Sequence, residues 1–281
     1  MKSRRSFLKL AGTGVLAAGV SSVYSYPVPV VPVRKTPSTD TFQLGIAGYT
    51  FAQLSIDSAI AIMKRAGVNN LSLKDIHLPL NSSQEKINEV IEKFKSAGIT
   101  VYTVGVVYMK TEESVDQAFE YARMAGVDLI VGAPDVVLLP HVEMKIKEYN
   151  FRMAIHNHGP DNTLYPNATD IWNHVKDLDP RIGICLDIGH TLRDGQDPAA
   201  DIIKYKSRIY DLHIKDVDKA SKEGKTVEMG RGIIDIPSVV AALRKIKYTG
   251  KCSLEFEKDM KDPLAGITES IGYFKGVMAC K

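Results

Sequence analysis

The chain of 281 residues has three cysteines, and positions 185, 252 and 280 form neither an even set nor a CxxC pair. This argues against a disulfide scaffold and a thiolate zinc cage. Cys185 and Cys252 lie inside apolar runs and read as core filler. No HExxH motif occurs, so any metal must be gathered from ligands far apart along the chain. The stretch "AGYTFAQLSID" lacks the glycine-rich phosphate loop that opens a doubly wound nucleotide-binding sheet. A large net charge is missing too. Lys2, Arg4, Arg5 and Lys9 supply four positive charges with no acid before Asp40, so without them the formal +3 becomes −1. A near-neutral body argues against nucleic acid as its partner.

What the first residues do contain is a leader. "SRRSFLK" sets Arg4 and Arg5 ahead of a modest apolar run, Leu10 to Val20, softened by glycines. That is the layout of a twin-arginine export signal, here residues 1–25. The run is too weak for an uncleaved anchor, which needs about 20 strongly apolar residues. A disordered basic tail would leave the SRRxFLK order unexplained. The proline-rich "YPVPVVPVRKTPSTD" reads as a tether, 26–41, leading to a body at 42–281. The expectation is an exported, periplasmic protein with no stable membrane insertion after cleavage. Twin-arginine systems move folded proteins, so a metal can be loaded first.

From residue 42 the pattern alternates. β-rich runs occur at "FQLGIAGYTF", "NNLSLKDI", "ITVYTVGVV", "DLIVGAP", "FRMAIHN", "RIGICLDIG", "RIYDLHIKD" and "KCSLEFE". Between them lie stretches of helical period such as "IDSAIAIMKRAG", "SSQEKINEVIEKFKSAG" and "SVDQAFEYARMAG". Gly67, Gly98 and Gly126 each follow such a stretch, where a left-handed cap suits glycine. Eight strands separated by helices over this length predict a single parallel (β/α)₈ TIM barrel.

In such a barrel the chemistry sits at the C-terminal ends of the strands. Asp75 and His77 follow the second run, Asp135 the fourth, and His156 and His158 the fifth. Asp187 and His190 follow the sixth, His213, Lys215 and Asp216 the seventh, Glu255 and Glu257 the eighth. Taken singly, each histidine reads as a hydrogen-bonded structural residue and Asp187 as a helix cap. Together, His156, Asp187, His213 and Glu255 place one donor on each of four adjacent strands. Two imidazoles and two carboxylates suit one divalent ion, Mn²⁺, Co²⁺, Fe²⁺ or Zn²⁺, and suit Ca²⁺ poorly. Glu257 is expected to alternate outward beside Glu255 as a solvated charge.

"ICLDIGH", "DLHIKD", "GRGIIDIP" and "YTGKCSLEFE", in this order, resemble the second half of the sugar phosphate isomerase/epimerase family, with its xylose isomerase-like barrel. The resemblance runs from about Phe42 to the end and is strongest from Phe151. It implies a divalent metal held at the ends of strands five to eight. In epimerases of the D-tagatose 3-epimerase type the ligands are glutamate, aspartate, histidine and glutamate. The last three map onto Asp187, His213 and Glu255, while the first, in "E-N-H", falls on His156 in "H-N-H". His158 is then the family's usual histidine, and His156 stands in place of an acid. The exchange lowers the ligand charge from −3 to −2, leaving the ion a stronger Lewis acid. It also removes a carboxylate that two-base epimerases use for proton transfer.

The expected reaction begins with loss of a proton next to a metal-polarised carbonyl, on an unphosphorylated sugar or keto-sugar. Glu255 is the candidate base, with His156 and Lys215 as further catalytic groups. His158, His190, Arg231 and His77 are candidate substrate contacts. Trp172, with Tyr49 and Phe51, is a candidate wall of a sugar pocket. The polar loop "DVDKASKEGKTVEMGRG" is long enough for a lid. An isomerase or epimerase is the main reading, and a lyase or hydratase of keto-glycosides is the alternative. A barrel that binds sugar without catalysis is weaker, and so is an apurinic endonuclease, which needs more histidines than His77 ahead of His141. The expected partner is a small carbohydrate, with room for a homo-oligomer.

Overall fold

The computed structural model describes residues 40–280. The expected signal and nearly all of the tether lie outside the described residues. The chain runs β1 (Gln43–Ala47), α1 (Ile56–Ala66), β2 (Asn70–Leu73), α2 (Gln84–Ser96), β3 (Thr100–Met109), α3 (Glu112–Ala125), β4 (Leu129–Pro134) and α4 (Leu139–Tyr149). It continues with β5 (Arg152–His156), α5 (Ala168–Val175), β6 (Ile182–Asp187), α6 (Ile188–Arg193), α7 (Pro198–Lys204) and β7 (Ile209–Ile214). A small hairpin, β8 (Asp216–Val217) and β9 (Thr226–Val227), precedes α8 (Ile236–Lys245), β10 (Lys251–Leu254) and α9 (Leu264–Ala279). Eight strands close in the order β1-β10-β7-β6-β5-β4-β3-β2. All eight expected strands are present and parallel, and β1 closes the ring by pairing Gln43 with Lys251.

Local chemistry sets the helix ends. Ser55, Ser83 and Thr111 accept from the backbone N–H groups of Ser58, Lys86 and Ser114, satisfying donors the first turn leaves free. Gly67 and Gly126 end α1 and α3 at φ 63° and 73°, a conformation that a side chain disfavours. Among the described residues no helix is long and apolar enough to cross a membrane.

Strand parity decides what faces the barrel axis. Leu212, Ile214, Leu254 and Phe256 belong to the large core between strands and helices. Their neighbours turn inward at every second position: Asp211, His213 and Lys215 after one another on and past β7, and Ser253, Glu255 and Glu257 on and past β10. A smaller cluster that includes Leu129, Val131, Ala154 and Cys185 fills the interior, packed by Tyr102 and Tyr210. Toward the N-terminal end the interior holds a polar knot. Tyr102 Oη lies 3.0 and 2.9 Å from the two carboxylate oxygens of Asp211 and 2.6 Å from Ser253 Oγ.

Asp201, in α7, is only 6% exposed, and its Oδ2 has no hydrogen-bond partner among the described residues. Burial pushes its carboxyl up to about 6. A group raised in the folded state contributes its full stability below the unfolded value, and that contribution is lost as the pH rises through the folded one. The protein should therefore lose stability between about pH 4 and 6 on account of Asp201, by on the order of 1–3 kcal/mol. Asp201→Asn should melt a few degrees higher than the parent above about pH 7 and together with it below about pH 4. Parallel melting curves across that range would rule Asp201 out.

Candidate metal centre

The C-terminal ends of β5, β6, β7 and β10 bring four donors together. His156 ends β5, Asp187 ends β6, His213 lies within β7, and Glu255 follows β10, tied by its N–H to the Ile214 carbonyl at 3.0 Å. The register pairs Asp187 with His213 across β6 and β7. All four residues are at most 5% exposed, and one donor atom of each lies within 4.8 Å of the others. His156 Nε2 is 3.1 Å from His213 Nδ1 and 3.6 Å from Asp187 Oδ2, and His213 Nδ1 is 3.4 Å from Glu255 Oε1. Ligand atoms about 2.0–2.2 Å from a tetrahedral ion stand roughly 3.3–3.6 Å apart, so these separations fit one first-row divalent ion.

The electrostatics fit as well. Lys215, 2% exposed, places its Nζ 2.7 Å from Glu255 Oε2, 2.6 Å from Glu257 Oε1 and 3.2 Å from Asp187 Oδ2. Three carboxylates outnumber the one ammonium, and although burial opposes it, Cys185 and Glu255 raise His213 well above the usual histidine value, so without an ion a proton on His213 answers part of the excess negative charge. Asp187 does double duty: Oδ1 accepts from the His190 N–H at 2.7 Å, capping α6, while Oδ2 makes no hydrogen bond and is buried 3.2 Å from the Lys215 ammonium and 3.6 Å from His156 Nε2. A buried carboxylate oxygen shared between these two ion-pair contacts has room for a metal as a further partner. Burial opposes ionisation of Asp187, but Lys215, His190 and His156 outweigh it and hold the carboxyl well below the usual range. In Glu255 burial is again overcome, by Lys215 and His213. Glu257 goes the other way: Lys215 lowers its carboxyl, yet burial and Glu255 together raise it above the usual glutamate value.

Above the four donors opens a cavity of about 440 Å³. Its lining has the polar groups His156, His158, His190, Glu255 and Glu257 together with Tyr49, Ile76, Val106 and Tyr108. Burial and the neighbouring imidazoles push His158 down to about 3, so it is neutral, with the Tyr108 hydroxyl 2.9 Å from Nε2. Burial likewise takes His190 down to about 4. A second cavity of about 510 Å³ shares His190 and Glu257 with the first and adds Arg193, Lys225 and Lys258.

The remaining expected contacts separate into those brought here and those not. His158, His190 and Lys215 line these cavities. His77 does not: its Nε2 is 3.0 Å from the Phe51 carbonyl oxygen, tying the turn after β2 to the one after β1. Trp172 sits on α5, its ring 5.9 Å from that of Tyr205 in the outer helical layer, and lines neither cavity. Phe51 is core at 1% exposed, and of the three aromatic candidates only Tyr49 reaches the cavity. Arg231 points outward to Glu269 of α9. The glycines flanking it matter instead, since the N–H groups of Gly230 and Gly232 both donate to buried Asp216. A Cβ at Gly232 would lie 2.1 Å from Asp216 Oδ1. The expected lid is folded: β8 and β9 pair antiparallel, and Val217 and Thr226 form part of the second cavity's wall.

Glu257 corrects an expectation of its own. It is exposed at the rim, as a solvated charge would be, but residues two apart share a face, so its carboxylate sits above Glu255 and is paired with Lys215. Lys74 was missed altogether. It is 8% exposed, lines the first cavity and bonds Asp75 at 2.6 Å and the Val106 carbonyl at 2.7 Å. A lysine ending a buried strand was the available signal.

Fold and site define a class: a (β/α)₈ barrel with a buried N₂O₂ donor set at the strand ends. Residues 60–277 match the xylose isomerase-like TIM barrel family, and the chain belongs to it. It is 28% identical over 130 residues to the rhizopine catabolism protein MocC of Rhizobium meliloti, covering 41% of this chain and 39% of that one. The chain thus spans about two fifths of the length of that relative. To the inosose dehydratase of Bacillus cereus (strain AH820) it is 21% identical over 245 residues, 77% of this chain and 80% of the other. Among solved structures, a protein from Parabacteroides distasonis ATCC 8503 matches with TM-score 0.66 and 26% identity, over 84% of this chain and 99% of that one. The IOLI protein, solved with a zinc atom, shares the fold at TM-score 0.69 and 16% identity, over 85% of this chain and 98% of its own.

The purified protein should carry about one divalent ion per chain by elemental analysis. His213→Ala should lose it, together with the drop in melting temperature that chelation causes in the parent. His77→Ala and Arg231→Ala should keep it. Metal content unchanged in His213→Ala would dismiss the site.

Proposed function

We propose that this protein is a divalent-metal-dependent lyase that eliminates the group β to the carbonyl of a polyhydroxy ketone, as a dehydratase does. One observation carries the reading: Glu257 and the neutral His158–Tyr108 pair line one cavity with the ligand residues His156 and Glu255. The relatives named inosose dehydratases support it, and so does the zinc in the IOLI structure. His156, Asp187, His213 and Glu255 would hold the ion; Zn²⁺, Mn²⁺ and Co²⁺ all suit the donor set. When bound, the ion supplies a Lewis acid that draws electron density from a carbonyl oxygen and acidifies the adjacent C–H bond.

The protein side chains do the rest. Glu255 is spent on the ion and on Lys215, which makes it a poor base. Glu257, raised above the usual value and open to the cavity, removes the proton. The electron pair released forms the new C=C bond, and the β C–O bond breaks with its electrons on oxygen. Tyr108, hydrogen-bonded to His158, donates a proton to that oxygen, and water or an alcohol leaves. Lys215 keeps Glu257 oriented throughout.

Isomerisation or epimerisation would share the first step. His156 in place of an acid favours elimination, because a two-base epimerase needs a second carboxylate. The setting we propose is the periplasm, after export through the leader, with a free carbohydrate ketone as substrate, no nucleic acid, and a homo-oligomer allowed.

Glu257→Gln should retain its metal yet lose roughly 10²–10⁴-fold in the rate at which a keto-sugar or inosose exchanges its α-proton for deuterium. Glu255→Gln should lose metal and exchange together. Undiminished exchange in Glu257→Gln would remove it as the base; a rearranged ketose or epimer in place of an unsaturated product would return the protein to the isomerases.

A further inference from the structure

At the opposite end of the barrel, where the strands begin, lies a cavity of about 530 Å³ whose lining has four cations, Arg152, Lys206, Lys247 and Lys251, and no acid. Arg152 and Lys251 are the first residues of β5 and β10, while Lys206 and Lys247 come from the loops entering β7 and β10. Lys247 and Lys251 are four residues apart, and the folded barrel brings Arg152 and Lys206 beside them. Their charges are largely unanswered. Lys251 bonds the neutral amide of Gln43 at 2.6 Å, Arg152 stands 3.7 Å from exposed Asp128, and Lys206 and Lys247 have no acidic partner among the described residues.

Like charges around one concavity repel, and low-dielectric walls focus their field into it. Asp211, in the interior beneath, is already engaged by the Tyr102 hydroxyl. Lys247 holds φ 55° as the residue that turns the chain out of α8, its N–H and that of Tyr248 bonding back to the Arg244 and Leu243 carbonyls, and this helix end sets it in the cavity wall. The Arg152 guanidinium lies 5.7 Å over the Tyr210 ring, which fixes the direction of its donors. The remaining wall, Tyr210, Tyr248 and Ile246 among it, is aromatic and apolar. The space exceeds that of a bare inorganic anion.

We propose that this basal cavity is a second ligand site, for a small organic dianion whose charged head meets the four cations and whose ring or apolar body lies against the tyrosines. The site is separate from the metal centre, since the two occupy opposite ends of the strands. Its head chemistry is an oxyanion, and phosphate esters and dicarboxylates both supply one.

Calorimetric titration of the full-length protein at low ionic strength tests it, with phenyl phosphate, phthalate, inorganic phosphate and benzyl alcohol as probes. Phenyl phosphate, phthalate or both should bind, more tightly than inorganic phosphate, and benzyl alcohol should not. The stronger of the two ring dianions tells a phosphate from a carboxylate head. Lys206→Glu with Lys247→Glu should weaken binding by about tenfold or more. Lys225→Ala, which removes a cation at the metal end, should leave it unchanged. The proposal is overturned if neither ring dianion binds, if the double variant binds as the parent does, or if Lys225→Ala alone abolishes binding.

Discussion

Everything at the working end of this molecule hangs on the Lys215 ammonium and the three carboxylates around it. Asp187, Glu255 and Glu257 could not all be ionised at the end of a closed barrel without a positive charge among them. Lys215 meets part of that demand and leaves an excess of negative charge. Facing two buried imidazoles, the remainder creates a place for a divalent ion. The same balance separates two glutamates that lie two residues apart. Glu255 is held ionised by Lys215 and His213 against its burial, whereas Glu257 is raised above the usual glutamate value.

The barrel makes this crowding bearable by parity and register. On β7 and β10 the inward positions read Asp211, His213, Lys215 and Ser253, Glu255, Glu257, while the intervening leucines, isoleucine and phenylalanine anchor the strands to the helices. Two polar layers therefore occupy one interior: the Tyr102–Asp211–Ser253 knot toward the strand beginnings, and the metal donors toward the strand ends. Small residues, Ala154 and Cys185, share the space between. The outer elements serve the site by shaping its rim. Asp216 accepts four backbone N–H groups, from Val217, Gly230, Gly232 and Ile234, and so folds the long polar loop into a wall.

The likeness to proteins named inosose dehydratases and the imidazole of His156, where the resemblance implies an acid, bear on the same question from different sides. Proton abstraction beside a polarised carbonyl is common to isomerases, epimerases and dehydratases. What distinguishes them is the group waiting on the far side of the reacting carbon. In the reading proposed here that group is the Tyr108–His158 pair, a hydroxyl beside a neutral imidazole, which would suit a departing oxygen better than a second deprotonation.

Read alone, the sequence determined the eight strands, their parallel order and the four candidate donors that the fold groups together, because those depend on period-two and period-3.6 patterns and on what ends each apolar run. It misjudged Glu257, although parity was legible there, and passed over Lys74. His77, Trp172 and Arg231 could not have been excluded in advance. Whether a polar side chain near a rim turns toward the axis, toward Phe51, toward Tyr205 or toward Glu269 is settled by what the folded chain brings beside it. The basal cations carry the same lesson. Arg152, Lys206 and the Lys247–Lys251 pair span a hundred residues, and only closure of the ring makes them one positive surface. Pattern along the chain fixes which face a residue occupies; partners across it, and hence charge balance, exist only once the strands have met.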